Sequence, residues 1–365
     1  MSTKKTALLL FLTLNLFLTT PVLSQEDSQA TIKVRAGKRS YVGRMIAVDQ
    51  ETMVLLRRNG RMTMIPRNRI EAAKSVAADF TSMTKDEIRK QLQREFGAKY
   101  QVSVTNHFLV VHPPGDPQVW AMPFEKLYIR FNNYFTSRNF NLEEPEFPMV
   151  AVILKTREEF DRFLSNYHEA NDNILGYYSP RSNRIISYDQ TGGEAKDQDW
   201  FFTVDTIVHE ATHQTAFNTG LHTRFARNPT WIAEGLATMF EAPGVQNSMY
   251  HSKQRDRINF GRLVDLKRLY KKGRINDKVI GSMISSDKIF EQSPISAYAL
   301  AWGLTFYLAE KQPERYAAFL RADSAREDFL EYSSRERLED FIRRFGRISD
   351  LAARMETFID SLPDE

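Results

Sequence analysis

The segment Thr203-Val-Asp-Thr-Ile-Val-His209-Glu210-Ala-Thr-His213-Gln214 sets the tightest limit on what this chain can become. His209 and His213 are four apart, and Ile207-Val208 and Ala211-Thr212 make the remaining faces apolar or small, so the spacing predicts a buried helix bearing charges. Residues four apart on a helix are separated by about 40° around the axis and one turn along it, so both imidazoles point to one side. An interior cluster of His, Glu and His costs free energy unless something offsets the lost hydration. A divalent cation does so, since two neutral imidazole nitrogens can reach one metal at about 2 Å. Glu210, beside the first imidazole, could then approach a water at the metal without itself binding the ion.

A second apolar helix is predicted by Pro229-Thr-Trp-Ile-Ala-Glu234-Gly-Leu-Ala-Thr-Met-Phe-Glu241. Glu234 lies 21 positions after His213, among Ile232, Ala233, Leu236 and Ala237. That length accommodates a turn, a loop and a returning helix, which would deliver a carboxylate as third ligand and leave a fourth position for water.

His-Glu-x-x-His followed by a helix reading Glu-Gly-Leu-Ala resembles the gluzincin clan of metallopeptidases. More narrowly, Val208-His-Glu-Ala-Thr-His213 together with Pro229-Thr-Trp-Ile-Ala-Glu-Gly-Leu-Ala-Thr238 resembles an uncharacterised family of bacterial exported proteins of that kind. The resemblance extends in layout over roughly Tyr100 to Leu362, with specificity confined to the two helices. It implies zinc as the metal, His209, His213 and Glu234 as ligands, and Glu210 as general base. It further implies hydrolysis of a peptide bond, with Glu210 taking a proton from water and returning it to the leaving amine. Tyr298, at the start of an apolar helix after Pro294, stands where such enzymes place an oxyanion partner. A strand edge ahead of the metal helix pairs with extended substrate in these enzymes, and Arg184 to Tyr188 has the matching place in the order. One position departs from the clan: some members carry an Asp four residues after the ligand Glu, where this chain has Thr238. Glu241 or Asp205 could orient a ligand imidazole instead.

The other histidines lack metal-like spacing. His107 and His112 flank an apolar strand, His168 ends a polar helix, and His251 lies in a charged stretch. His222 follows His213 by nine positions, whereas a metzincin places its third His about six after the second with a Gly between.

Upstream, residues 1–24 read as an export signal. Lys4 and Lys5 precede an uncharged apolar run from Ala7 to Leu18, and small residues predict cleavage after Ser24. No cysteine occurs anywhere in the 365 residues, which removes disulfides, thiolate ligands and lipid attachment at a cysteine. Without Lys4 and Lys5 the chain carries 48 basic against 46 acidic residues, so nothing marks it as a nucleic-acid binder. No later stretch is apolar enough to span a bilayer after cleavage.

Alternating or β-branched runs at Ile32–Val34, Tyr41–Val48, Met53–Leu56 and Arg61–Ile65, punctuated by Gly37-Lys38, Asp49-Gln50 and Asn59-Gly60, predict a small SH3-like β-barrel over 31–76. A linker helix is expected over 77–98, with Thr84 and Glu87 as a capping box. Residues 99–362 are expected to form the gluzincin-like (thermolysin-like) domain, with strands at 100–104, 107–111, 149–154, 176–178 and 184–188 and a helical C-terminal lobe. The expected fold class is α+β. The expected activity is that of an exported, periplasmic or secreted, zinc metallopeptidase acting on a peptide or protein. Two alternatives stand beside it: an inactive scaffold of the same fold, and a zinc amidase acting on a cell-wall component.

Overall fold

The computed structural model describes residues 30–165, 174–191, 197–247, 251–271 and 275–364, with backbone only for 197–204. The signal segment and His168 lie outside the described residues. Two compact units emerge. One takes in the described chain up to Leu55 together with Met64–Phe80; the other takes in Leu56–Thr63 and the described chain from Thr81 onward.

The first unit is built on an antiparallel sheet of β1 (Thr31–Ala36), β2 (Arg39–Val48), β3 (Thr52–Arg57), β4 (Met62–Pro66) and β5 (Ile70–Ala77), ordered β4-β3-β2-β1-β5. Ile32, Val34, Met53, Leu55 and Ile65 alternate out of it into one small core. The β2–β3 turn is locked by Asp49, whose Oδ1 accepts from the amides of Glu51 and Thr52 at 2.7 Å. The barrel expected over 31–76 is not closed: β4 and β5 are the two edges, and no ladder joins them among the described residues. Closure needs an edge-to-edge ladder. β4 has five residues and ends in Pro66, which has no N–H to donate.

The second unit begins with α1 (Lys85–Phe96), whose capping box is formed as Thr84 and Glu87 exchange side-chain and backbone bonds. The strands β6 (Gln101–Val104), β7 (Phe108–His112), β8 (Met149–Leu154), β9 (Gly176–Ser179) and β10 (Arg184–Tyr188) form a mixed sheet, ordered β6-β7-β8-β10-β9. β7, β8 and β10 run parallel; β6 and β9 pair antiparallel at its two edges. β7 and β8 are buried along their whole length, as near-continuous apolar runs require. Leu109, Val111, Val150 and Val152 face Ile88 and Leu92 of α1 and Phe160 and Leu164 of α3 (Arg157–Ser165). Phe108, Val110, Ala151 and Ile185 face the opposite way, toward α2 (Pro117–Thr136) and α4 (Asp197–Asn218).

After α4 the chain is helical: α5 (Thr230–Phe240), α6 (Pro243–Gln246), α7 (Phe260–Lys271), α8 (Asp277–Ser285), α9 (Lys288–Gln292), α10 (Pro294–Lys311), α11 (Pro313–Ser324), α12 (Ser334–Phe345) and α13 (Ile348–Asp360). The molecule is therefore mixed α+β with a helical C-terminal half. α10 is buried on nearly every face and packs against α5. Gly235 is what lets it approach: a Cβ there would stand 2.6 Å from the Ala301 carbonyl oxygen and closer still to Thr305 Oγ1. No described helix is long and apolar enough to cross a membrane.

Candidate metal centre

α4 carries His209, Glu210 and His213 over the sheet, and Gln214 pins it there. The Gln214 Nε2 donates to the Val150 carbonyl at 3.2 Å and the Asn183 carbonyl at 2.8 Å, so both of its N–H groups are used in the interior, while its Oε1 has no partner among the described residues. α5 returns beside α4 and brings Glu234 to the two imidazoles. His209 Nε2 lies 3.1 Å from His213 Nε2 and 3.2 Å from Glu234 Oε2, and His213 Nε2 lies 3.4 Å from the same oxygen. Ligands about 2.0–2.1 Å from a tetrahedral ion stand roughly 3.3–3.4 Å apart, so these three atoms have the separations such an ion imposes. They form a group that could hold a metal ion.

Burial works against charge on His209, but Glu234 and Glu241 outweigh it and hold its pKa well above the ordinary histidine value. Burial likewise opposes ionisation of Glu234, and the two imidazoles overcome it, drawing that carboxyl far below its usual range. Both shifts express the same fact: a buried carboxylate needs positive charge beside it.

Glu241 is the group that orients His209. Its Oε1 is 2.7 Å from His209 Nδ1, while Asn259 Nδ2 donates to its Oε2 at 2.7 Å. Thr238, where some gluzincins carry Asp, instead donates its hydroxyl to the Glu234 carbonyl at 2.6 Å. Asp205 is exposed. Of the two candidates for this position, Glu241 is the one that touches the imidazole.

Glu210 does not join the three donors. Its Oε2 accepts the Tyr178 amide at 2.7 Å, which sets the carboxylate against β9. Gly176 makes room: a Cβ there would meet Thr206 Cγ2 at 2.6 Å and Glu210 Cγ at 3.0 Å. Burial raises the Glu210 pKa above the usual carboxylate value. The strand at the site thus differs from the one expected. Arg184–Tyr188 is β10, interior to the sheet with β8 on one side and β9 on the other, and the edge strand is β9, its residues buried or half-buried. The hairpin of 176–178 with 184–188 is legible in the sequence; which of its two strands pairs with β8, and which is left at the edge, is not.

Tyr298 stands at the start of α10 on the wall of the same cavity, of about 420 Å³, which His209, Glu210, His213 and Glu234 also line. Its ring lies 6.3 Å from that of His209. Burial, then the carboxylates of Glu234 and Glu210, raise its pKa, so the hydroxyl keeps its proton.

The remaining histidines stay out of the group. His222 is buried against Phe217, ring centroids 5.3 Å apart, and burial pushes its pKa down to about 3. Neither of its ring nitrogens has a partner among the described residues. His112 bonds the Pro113 carbonyl and Ser103, both at 2.7 Å, and His107 pairs with Glu125 at 2.7 Å. Two residues that shape the site carry no role in the sequence reading: Gln214, fully buried on α4, and Arg224, on the cavity wall. A polar amide inside an otherwise apolar helix was the available signal for the first; the second carried none.

The model of a family described as a protein of unknown function (DUF1570) matches residues 203–330, a span containing His209, Glu210, His213, Glu234 and Tyr298. No curated protein matches the chain.

Proposed function

We propose that this chain is an exported, zinc-dependent hydrolase of gluzincin type that cleaves peptide bonds. The observation that carries the reading is the division of labour at the cavity. Three donors converge at 3.1–3.4 Å, while a second acidic group, Glu210, is held off them against the edge strand β9. Two imidazole nitrogens and one carboxylate oxygen form a donor set that suits zinc, with a coordination position left open. Zinc held there would acidify a water and polarise the carbonyl under attack.

The chain's own residues supply the rest. Glu210 takes the proton from the attacking water and passes it to the leaving nitrogen. The Tyr178 amide fixes that carboxylate in place. Glu241 keeps the Nε2 of His209 turned toward Glu234 by engaging Nδ1. Tyr298, with its proton retained, donates a hydrogen bond to the oxygen that gains charge in the transition state. Substrate lies extended along β9, the edge strand of the sheet, whose Tyr177 and Tyr178 line the cavity. Export follows from the segment 1–24, by the composition argued above.

The test is elemental mass spectrometry of the purified protein beside a His213→Ala variant, followed by mass-spectrometric screening of peptide mixtures. About one zinc per chain, lost in the variant, is the expected result. Glu210→Gln should keep zinc and abolish turnover; unchanged turnover would sink the assigned base. Absence of zinc after reconstitution would favour an inactive scaffold, and zinc with turnover of cell-wall amides alone would favour the amidase.

A further inference from the structure

Arg224 lines the same cavity as the metal donors and is 9% exposed. Its Nε donates to the Pro180 carbonyl at 2.9 Å, and its Nη2 donates to the Pro180 carbonyl at 2.7 Å and the Gly60 carbonyl at 2.6 Å. A guanidinium stays protonated in proteins, so a full positive charge is buried here. The hydrogen bonds described for it go to neutral carbonyl oxygens. Glu146, an exposed residue, acts on it through space. Tethering two carbonyls needs donors, not charge, and taking an ion from water is costly unless an opposite charge repays it. Nη1 remains for a ligand, and Pro180 and Phe217 line the cavity beside it.

The position along β9 sets the distance to the chemistry. Glu210 holds the Tyr178 amide, and Arg224 holds the carbonyl of Pro180, two residues further on. Tyr178 lies in β9 and Pro180 is the first residue of the turn beyond it, so the two positions are at most about 7 Å apart along the chain, the span of two residues of an extended ligand.

We propose that Arg224 forms a carboxylate-binding subsite at the end of β9, and that the substrate is a peptide with a carboxylate about two residues from the bond broken. The proposal rests on the peptidase reading for its position and on the buried cation for its chemistry. A carboxylate meeting Nη1 gains a charge-assisted hydrogen bond in a site already largely dry. The carboxylate could belong to an Asp or Glu side chain or to a free peptide C-terminus.

The experiment is competitive fluorescence binding to Glu210→Gln protein, both zinc-loaded and metal-free. The probes are acetylated, C-terminally amidated peptide mixtures with one fixed position holding Glu or Gln, and an all-amide mixture with a free C-terminus. We expect the carboxylate-bearing probe to bind at least about tenfold more tightly than its Gln or amidated counterpart, at one position and in both metal states. A gain confined to the fixed-Glu mixture identifies a side chain; one confined to the free terminus identifies a chain end. Arg224→Gln should erase the gain and Arg224→Lys should restore part of it. Should those variants fail to fold, the comparison between probes on the parent protein still decides. Equal binding of charged and neutral probes overturns the subsite. Cleavage of peptides without acidic preference leaves the peptidase standing and the subsite refuted, whereas acidic preference in binding with no cleavage does the reverse.

Discussion

Glu241 Oε1 lies 2.7 Å from Nδ1 of His209, and the same carboxylate is held from its other side by Asn259. The pairing joins the C-terminal end of α5 to the middle of α4, so the helix that brings Glu234 also sets the ring orientation of His209. A carboxylate behind a ligand imidazole fixes its tautomer and raises its basicity. Glu241→Ala should therefore weaken zinc binding about 10- to 100-fold with the fold retained, read by competition with a chelating dye. Unchanged affinity would show that the contact is incidental.

Gly235→Ala tests the contact between α5 and α10. The added methyl would stand 2.6 Å from the Ala301 carbonyl oxygen, where a backbone group has no room to yield. Overpacking of this kind costs about 1–3 kcal/mol or more, despite the better helix propensity of Ala. Thermal unfolding should show a clear drop in Tm, with zinc affinity reduced alongside because Glu234 is the adjacent residue.

Asp287 is predicted to be a support for α5. Its Oδ1 accepts from the Thr230 amide at 3.0 Å, and its carboxylate pairs with the buried guanidinium of Arg337 at 2.9 and 3.2 Å. Asp287→Ala leaves Arg337 buried without its partner, at a cost of about 3–5 kcal/mol. Urea denaturation would measure it, and a loss below about 1 kcal/mol would contradict a buried pair.

A pH prediction follows from Asp323 on α11. Burial pushes its pKa up to about 6 from the ordinary 3.8, against the pull of Arg326 3.0 Å away. The folded chain thus holds this proton more tightly than the unfolded chain does. Its contribution to stability is fully present below about pH 4 and is lost as pH rises toward 6. Relative to Asp323→Asn, the parent protein should lose on the order of 2–3 kcal/mol between about pH 4 and pH 6.5, by urea titration at each pH. A flat difference would show that the two states bind the proton equally.

Metal removal should lower stability by mass action. With zinc at about 100 times its Kd the folded state gains about 2.7 kcal/mol, which a chelator would withdraw. Scanning calorimetry should show the chelator lowering Tm in the parent protein and leaving His213→Ala unmoved.

Much of the site was legible in the chain because helical periodicity is local. His209 and His213 share a face by their spacing alone, and the apolar residues around Glu234 mark it as interior from the sequence itself. The strands of the mixed sheet were legible for the same reason, through their unbroken or alternating apolar runs. Periodicity does not say what lies beside what. Strand order put β10 at the edge, and only the sheet places β9 outside it with its Tyr178 amide on Glu210. Apolar alternation suggested a closed barrel over 31–76, but closure depends on whether two distant edges can share a ladder, and β4 and β5 do not. The choice of Glu241 over Asp205, and the approach of buried Arg224 to Pro180 and Gly60, depend on how helices and turns far apart in sequence come to rest. Local sequence determined which residues had to be interior and on which side of their helix. Tertiary packing decided which charges meet, because a buried charge takes its partner from whatever element the fold brings within a few ångströms.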